Sequence, residues 1–194
     1  WVYDIFFGVE PNLHTLILEE QTNTNEILDP INSCISINEQ LIKINRTDII
    51  DDIVNNIGPH KHFVLHGEGG TGKTGIIKDL FAKTHSSIPL CIRKAQSLNV
   101  VSLIELFSFA YQYRSEQFIE AYSESSQKIF VIDSAEKLQE IEEDSSIRSL
   151  IKMLDQNGWS IILTVRNVFL KDLKDTLHLI YNIDPHYYSI DCIS

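Results

Sequence analysis

The sequence predicts an α/β fold: a parallel sheet held between two layers of helices. Three observations predict it. Short apolar runs, 62-HFVLH-66, 128-KIFVID-133 and 159-WSIILTVR-166, alternate with longer segments of helical periodicity. The runs are almost continuously apolar, as strands covered on both faces are. A glycine-rich stretch, 67-GEGGTGKT-74, stands directly between the first of them and a helical segment.

In chain order, residues 1–41 read as a connector or the tail of a preceding domain, and residues 42–194 as the core domain. The first part passes from an aromatic start, 1-WVYDIFF-7, through Pro11 and 16-LIL-18 to a polar stretch, 19-EEQTNTNE-26, expected to be a linker or exposed loop. Residues 31–46 alternate enough for one or two short strands. A helix is expected over 47–57, with Thr47 as N-cap and apolar Ile49, Ile50, Ile53, Val54 and Ile57. Gly58 and Pro59 stop it. Strand one is 62–66, and a helix follows the glycines to about residue 85, with Ile76, Ile77, Leu80 and Phe81 on one face. Residues 88–93 form a second strand. Residues 99–123 read as helical in two segments, 100–113 and then 116–122, with Tyr111, Tyr113 and Phe118 in the core. Strand three is 128–133, and the next helix carries Ile147, Leu150, Ile151 and Leu154 until Asn157 and Gly158 end it. Strand four is 159–166, a helix spans about 168–180, and 186–193 is the last strand. Ligands of such sheets bind at the carboxyl ends of the strands. The glycine loop, Asp133 and Arg166 all fall there.

Composition sets outer limits. A chain of 194 residues, 43% of them hydrophobic, suits one domain of ordinary size plus some extra. Cys34, Cys91 and Cys192 are far apart and form no CxxC pair. That argues against a disulfide framework or a zinc site and for a reducing, cytoplasmic setting. No run of 18 apolar residues suggests a membrane helix. Because the first residue is Trp1, the chain is read as a piece of a longer one. The net charge is −11, and the first 45 residues hold seven acids against one lysine. Neither part shows the clustered Lys and Arg of a nucleic-acid surface, so the charge balance speaks against that partner.

The spacing GxxxxGK[ST] is met by Gly67, Gly72, Lys73 and Thr74. Glycines let successive N–H groups turn inward towards phosphate oxygens, and the following helix offers its positive N-terminal end. The whole stretch, Gly67, Glu68, Gly69, Gly70, Thr71, Gly72, Lys73, Thr74 and Gly75, is therefore expected to bind a nucleoside triphosphate, Glu68 and Thr71 through loop geometry. Lys73 would bridge the β- and γ-phosphates, and the Thr74 hydroxyl would hold Mg²⁺. Asp133, at the end of a buried strand, is the expected second metal anchor. Glu136, three residues on, is the candidate for activating water. Arg166 closes strand four, where a guanidinium can reach the γ-phosphate. Thr164 is a weaker candidate for a water or phosphate contact. His60, His62 and His66 are read as polar positions at the strand ends, because His62 and His66 stand about 13 Å apart on an extended strand. The acidic stretch 140-EIEEDSS-146 is read as a solvated helix start.

Together, 44-INRTDIIDDI-53, 67-GEGGTGKT-74 (Walker A), 128-KIFVIDSAE-136 (Walker B) and 160-SIILTVR-166 resemble the P-loop NTPases of the STAND group, relatives of AAA+ proteins that include NACHT and NB-ARC domains. The resemblance covers about residues 42–194. It implies a five-stranded parallel core of order 5-1-4-3-2, ATP as the nucleotide, and Arg46 on the adenine side. It further implies a slow ATP-hydrolysing switch that forms a homo-oligomer within a longer protein. Two features depart from the pattern. The helix at 168–180 has Lys171 and Lys174 but no arginine finger, which disfavours a ring ATPase, and DSAE is poorer in acids than usual, which suits slow turnover. The alternatives are a nucleotide-binding scaffold with incidental turnover and a DNA-associated AAA+-like ATPase.

Overall fold

The structure is a computed structural model that describes residues 12–32, 34–37, 40–43, 45–141 and 144–190. Helix α1 spans Leu13–Leu28, and a small antiparallel hairpin follows, β1 (Cys34–Ile37) with β2 (Gln40–Lys43). Then come α2 (Thr47–Asn56), β3 (Phe63–Gly67), α3 (Lys73–Thr84), β4 (Leu90–Lys94), α4 (Leu103–Leu106) and α5 (Ser115–Ala121). The chain continues through β5 (Ile129–Asp133), a 3-10 turn (Ala135–Glu140), α6 (Ser145–Gln156), β6 (Ser160–Arg166), α7 (Leu170–Leu179) and β7 (His186–Ile190).

Strands β3 to β7 form one sheet, ordered β4-β5-β6-β3-β7, and every pairing is parallel. Counted as core strands one to five, this is 2-3-4-1-5, the expected order read in reverse. Side chains alternate across the sheet, as period-two strands require. Phe130 and Ile132 of β5, with Ile161, Leu163 and Val165 of β6, enter one core, shared with Ile147, Leu150 and Ile151 of α6 and Leu173 and Leu177 of α7. Ile129, Val131 and Ile162 enter the other, beneath Ile50 and Ile53 of α2 and Ile76, Ile77 and Leu80 of α3. The same alternation decides where the chemistry goes. Asp133 follows Val131 by two residues, and Thr164 and Arg166 continue the row of Ile162, so all three belong to the α3 side.

Three expectations need correction. The polar stretch 19–26 is not a loop but lies inside α1. Its buried positions, Leu16, Glu20, Thr24 and Leu28, recur every fourth residue, and two of them are polar. Their burial is compensated at the exposed edge of the sheet. Glu20 Oε1 accepts a bond from Arg93 Nη2 at 2.6 Å, while Thr24 Oγ1 and Asn23 Nδ2 donate to the carbonyls of Leu90 and Ile92. The helix thereby covers an edge strand that would otherwise present free carbonyls.

The expected helical run 100–113 is broken, whereas the segment expected over 116–122 is helical as α5. Within 99–123 only α4 and α5 are helical, and Ser108 bridges Gln112 in antiparallel fashion between them. Leaving the helix lets Phe107 and Tyr113 both reach full burial, while Tyr111, expected in the core, is 42% exposed. Finally, Thr47 does not cap α2 with its side chain. Asn45 Oδ1 accepts the Thr47 N–H at 3.1 Å instead.

Candidate functional site

The glycine loop leaves β3 and closes into the first turn of α3. Gly70 and Gly72 sit at φ +81° and +83°, left-handed conformations that favour glycine. Gly67 is pressed so closely against the Ile190 carbonyl of β7 that a Cβ would collide with it. The loop is braced from within: Thr71 Oγ1 donates to the Glu68 carbonyl at 3.0 Å. Glu68 points outward, where its Oε1 accepts from Asn167 Nδ2 at 3.2 Å. At the start of α3 the N–H groups of Lys73, Thr74 and Gly75 have no carbonyl one turn back within the helix.

Lys73 lies across this concavity. Its ammonium donates to the carbonyls of Gly67 at 3.0 Å and Glu68 at 2.8 Å, with Thr71 Oγ1 at 3.4 Å. Burial pushes its pKa below the usual lysine value, and the nearby Arg166 pushes the same way; Glu136, Asp133 and Glu68 oppose them. The cation is thus held where an anion would be welcome.

Asp133 meets the loop from the sheet. Its Oδ1 accepts from Thr74 Oγ1 at 3.1 Å and from Thr164 Oγ1 at 2.6 Å. Thr164 also accepts the Ser134 N–H at 2.9 Å, so one hydroxyl ties the ends of β5 and β6 together. Ser134 is left-handed, at φ +60°. That bend starts the 3-10 turn that places Glu136 beside the loop, 8% exposed. Glu136 Oε1 stands 3.4 Å from Arg166 Nε, while its Oε2 is buried without a hydrogen-bond partner. Gly69, Gly70, Gly72, Lys73, Thr74, Gly75, Asp133, Glu136, Thr164 and Arg166 share one cleft of about 260 Å³.

The structure therefore brings together the glycine loop, Lys73, Thr74, Asp133, Glu136 and Arg166. Arg46 stands apart from that cleft. Its guanidinium pairs with Asp79 at 3.0 Å and lies against Gly72 and Gly75, where a Cβ would stand 2.5 Å and 2.8 Å from its nitrogens. It borders a second cleft with Asn45, Thr47, Ile50, Asp79, Ala82 and Lys83. Thr164, expected only as a weaker candidate for a water or phosphate contact, is bonded more tightly to Asp133 than Thr74 is, and its place on the same strand row as Ile162 was the available signal for that role. Ile31 and Asn32 also line the phosphate-sized cleft. Nothing in the local sequence marks them, because the contact depends on where α1 docks.

The residues present fit a divalent cation. Two hydroxyls converge on one carboxylate oxygen of Asp133, and Glu136, which lines the same cleft, has a buried oxygen without a hydrogen-bond partner. His60 and His62 both reach Oδ1 of Asp155, each at 2.9 Å, on the opposite end of the sheet.

Comparison with known proteins agrees with the fold. Residues 44–193 match a family model described as Novel STAND NTPase 3. No curated protein matches the chain in sequence. Among solved structures, the chain is similar to Drosophila ORC bound to DNA, at TM-score 0.55 and 16% identity, over 77% of this chain and 43% of that one. It is also similar to the replication initiator DnaA bound to AMPPCP and single-stranded DNA, at TM-score 0.53 and 13% identity, over 75% and 45%. A structure explaining katanin self-assembly matches at TM-score 0.52 and 18% identity, over 84% and 55%. The chain spans about half the length of these proteins, and the likeness is one of fold. Two of the three hold DNA, so the charge-based case against a nucleic-acid partner finds no support here. No helix among the described residues is long and apolar enough to cross a membrane.

Proposed function

The chain belongs to the Novel STAND NTPase 3 family, and from that premise we propose that residues 42–194 are a cytoplasmic ATP-binding switch domain that hydrolyses ATP slowly with Mg²⁺. The observation that carries the reading is the convergence of Lys73, Thr74 and Asp133 on one cleft. The loop amides and the N-terminus of α3 receive the phosphates. Lys73 exchanges its contacts with the loop carbonyls for phosphate oxygens, which share its charge more fully. Thr74 and Asp133 would hold the magnesium ion, which supplies charge neutralisation across the β- and γ-phosphates. Thr164 keeps Asp133 turned towards Thr74.

Glu136 is the group placed to accept a proton from an attacking water. Its pairing with Arg166 matters here, because an Arg166 drawn to the γ-phosphate would release Glu136 for that role. Arg46, against Gly72 and Gly75 at the start of α3, is the side chain we assign to the adenine end of the site. The switch is proposed to act through homo-oligomers, by analogy with the self-assembly named for katanin.

A DNA-associated role is the second reading, motivated by the DNA in the ORC and DnaA structures. Three measurements test these statements. Lys73→Ala is expected to abolish ATP binding in equilibrium titrations. Glu136→Gln is expected to retain binding and lower turnover by about a hundredfold or more. ATP binding unaltered by Lys73→Ala would overturn the site. Turnover unaltered by Glu136→Gln would leave a scaffold with incidental hydrolysis, and stimulation by DNA would favour the second reading.

A further inference from the structure

The matched family region begins at residue 44, yet two earlier residues line the phosphate cleft. Ile31 and Asn32 belong to the strap that joins α1 to the hairpin. The strap is held down by the P-loop helix itself. Lys78 Nζ donates to the carbonyls of Asp29 at 3.1 Å and Ile31 at 2.7 Å. Lys78 is four residues after Thr74 and so lies on the same face of α3, one turn along. Thr74 is the residue whose hydroxyl meets Asp133. The strap therefore passes over the side of the helix that presents the metal anchor, not over its adenine end.

Upstream, the strap is continuous with a helix that cannot slide freely. Buried Glu20 is paired with Arg93 of β4, and Asn23 and Thr24 hold the main chain of the same strand. A lysine bonded to two carbonyls would by itself be only a clasp. What gives it significance is that the clasped segment ends in Asn32, which lines the cleft.

We propose that Asn32 is a nucleotide-contacting residue on the magnesium and β,γ-phosphate side of the site, that Lys78 is its positioning residue, and that bound nucleotide therefore tightens α1 against the sheet. The carboxamide can donate from its nitrogen to a phosphate oxygen or accept through its oxygen from metal-bound water. The proposal rests on the nucleotide site described above. It extends that site to a segment outside the family region and gives the site a mechanical link to whatever precedes α1.

The test uses the full-length protein and fluorescent ATP with magnesium as probe. Asn32→Ala is expected to weaken binding about tenfold, as loss of one hydrogen bond to a charged group does. Lys78→Met is expected to weaken it in the same direction, and Lys78→Arg to restore it, since a guanidinium can still reach both carbonyls. Hydrogen exchange supplies the second readout: ATP should slow exchange in residues 13–28 of the natural protein and do so less in Lys78→Met. Full-strength binding in both Asn32→Ala and Lys78→Met, or exchange in α1 indifferent to ATP, overturns the proposal while leaving the nucleotide site standing. If the natural protein itself binds no ATP, the nucleotide site and the proposal fall together.

Discussion

The two faces of the sheet are built from different materials. On the α2–α3 face the core is almost wholly aliphatic: Ile50, Ile53, Ile57, Ile76, Ile77, Leu80, Ile129, Val131 and Ile162. On the other face the aliphatic side chains surround a cluster of aromatic rings. Trp159 stacks on Phe118 at 5.1 Å between ring centroids and meets Tyr122 at 5.2 Å and Phe130 at 6.2 Å; Phe107 stacks on Phe118 at 4.4 Å. The difference follows from what covers each face. Two regular helices cover the first, and branched aliphatic side chains fill the ridges between a helix and a sheet. The second is partly covered by the irregular segment between β4 and β5, where no helical ridge exists. Large flat rings bridge such uneven gaps because each buries much area from a single position. The regular face is also the one that carries the phosphate loop, whose amides must be held in place.

The largest test of that contrast is Trp159→Ala, expected to cost about 3–5 kcal/mol because it empties the centre of the ring cluster. The midpoint of urea unfolding measures it. Trp159→Phe should lose distinctly less, since the buried indole N–H of Trp159 has no hydrogen-bond partner to forfeit. On the aliphatic face, Ile77→Val is expected to cost about 1 kcal/mol by the same measurement. A larger loss at Ile77 than at Trp159 would reverse the comparison.

The smallest test is one of pH. His62 joins the two faces at the amino end of the sheet. Its Nδ1 accepts the Ile161 N–H at 3.2 Å, so its Nε2 carries the proton that goes to Asp155 of α6. Burial holds its pKa below the usual histidine value, against the pull of Asp155. The folded protein therefore resists protonating a group that the unfolded chain protonates at about pH 6.5. This contribution to stability is present above that pH and is lost as pH falls towards the lower, folded-state value, by at most about 1.4 kcal/mol per pH unit. His62→Gln should flatten the pH dependence of the urea midpoint between about pH 7 and 5, and an unchanged slope would remove His62 from the account.

Much of the fold was legible from periodicity alone. The apolar runs became β3, β5 and β6, the helical repeats became α2, α3, α6 and α7, and the positions of Asp133 and Arg166 at the carboxyl ends of their strands already put them near the glycine loop. That legibility comes from local rules, because an apolar residue at the right spacing needs only a nearby core. The loop is legible for a related reason: the turn, the glycines and the helix N-terminus are contiguous, so one short stretch specifies the whole cradle.

The failures share one cause. Helix α1 was hidden because Glu20 and Thr24 occupy buried positions that look solvent-facing. Their burial is tolerable only beside Arg93 and the β4 carbonyls, residues some 66 to 73 positions away in sequence. The segment 100–113 misled in the opposite sense, since its apolar spacing suits a helix while the chain takes a broken path that buries both Phe107 and Tyr113. What the sequence by itself determined is the alternation of strands and helices and the identity of the phosphate loop, because both depend on contacts between near neighbours. Only the tertiary structure decided which polar residues could be buried, that Glu136 pairs with Arg166, and that Asn32 lines the cleft. Each of those depends on a partner that the chain brings within reach only after the sheet has assembled.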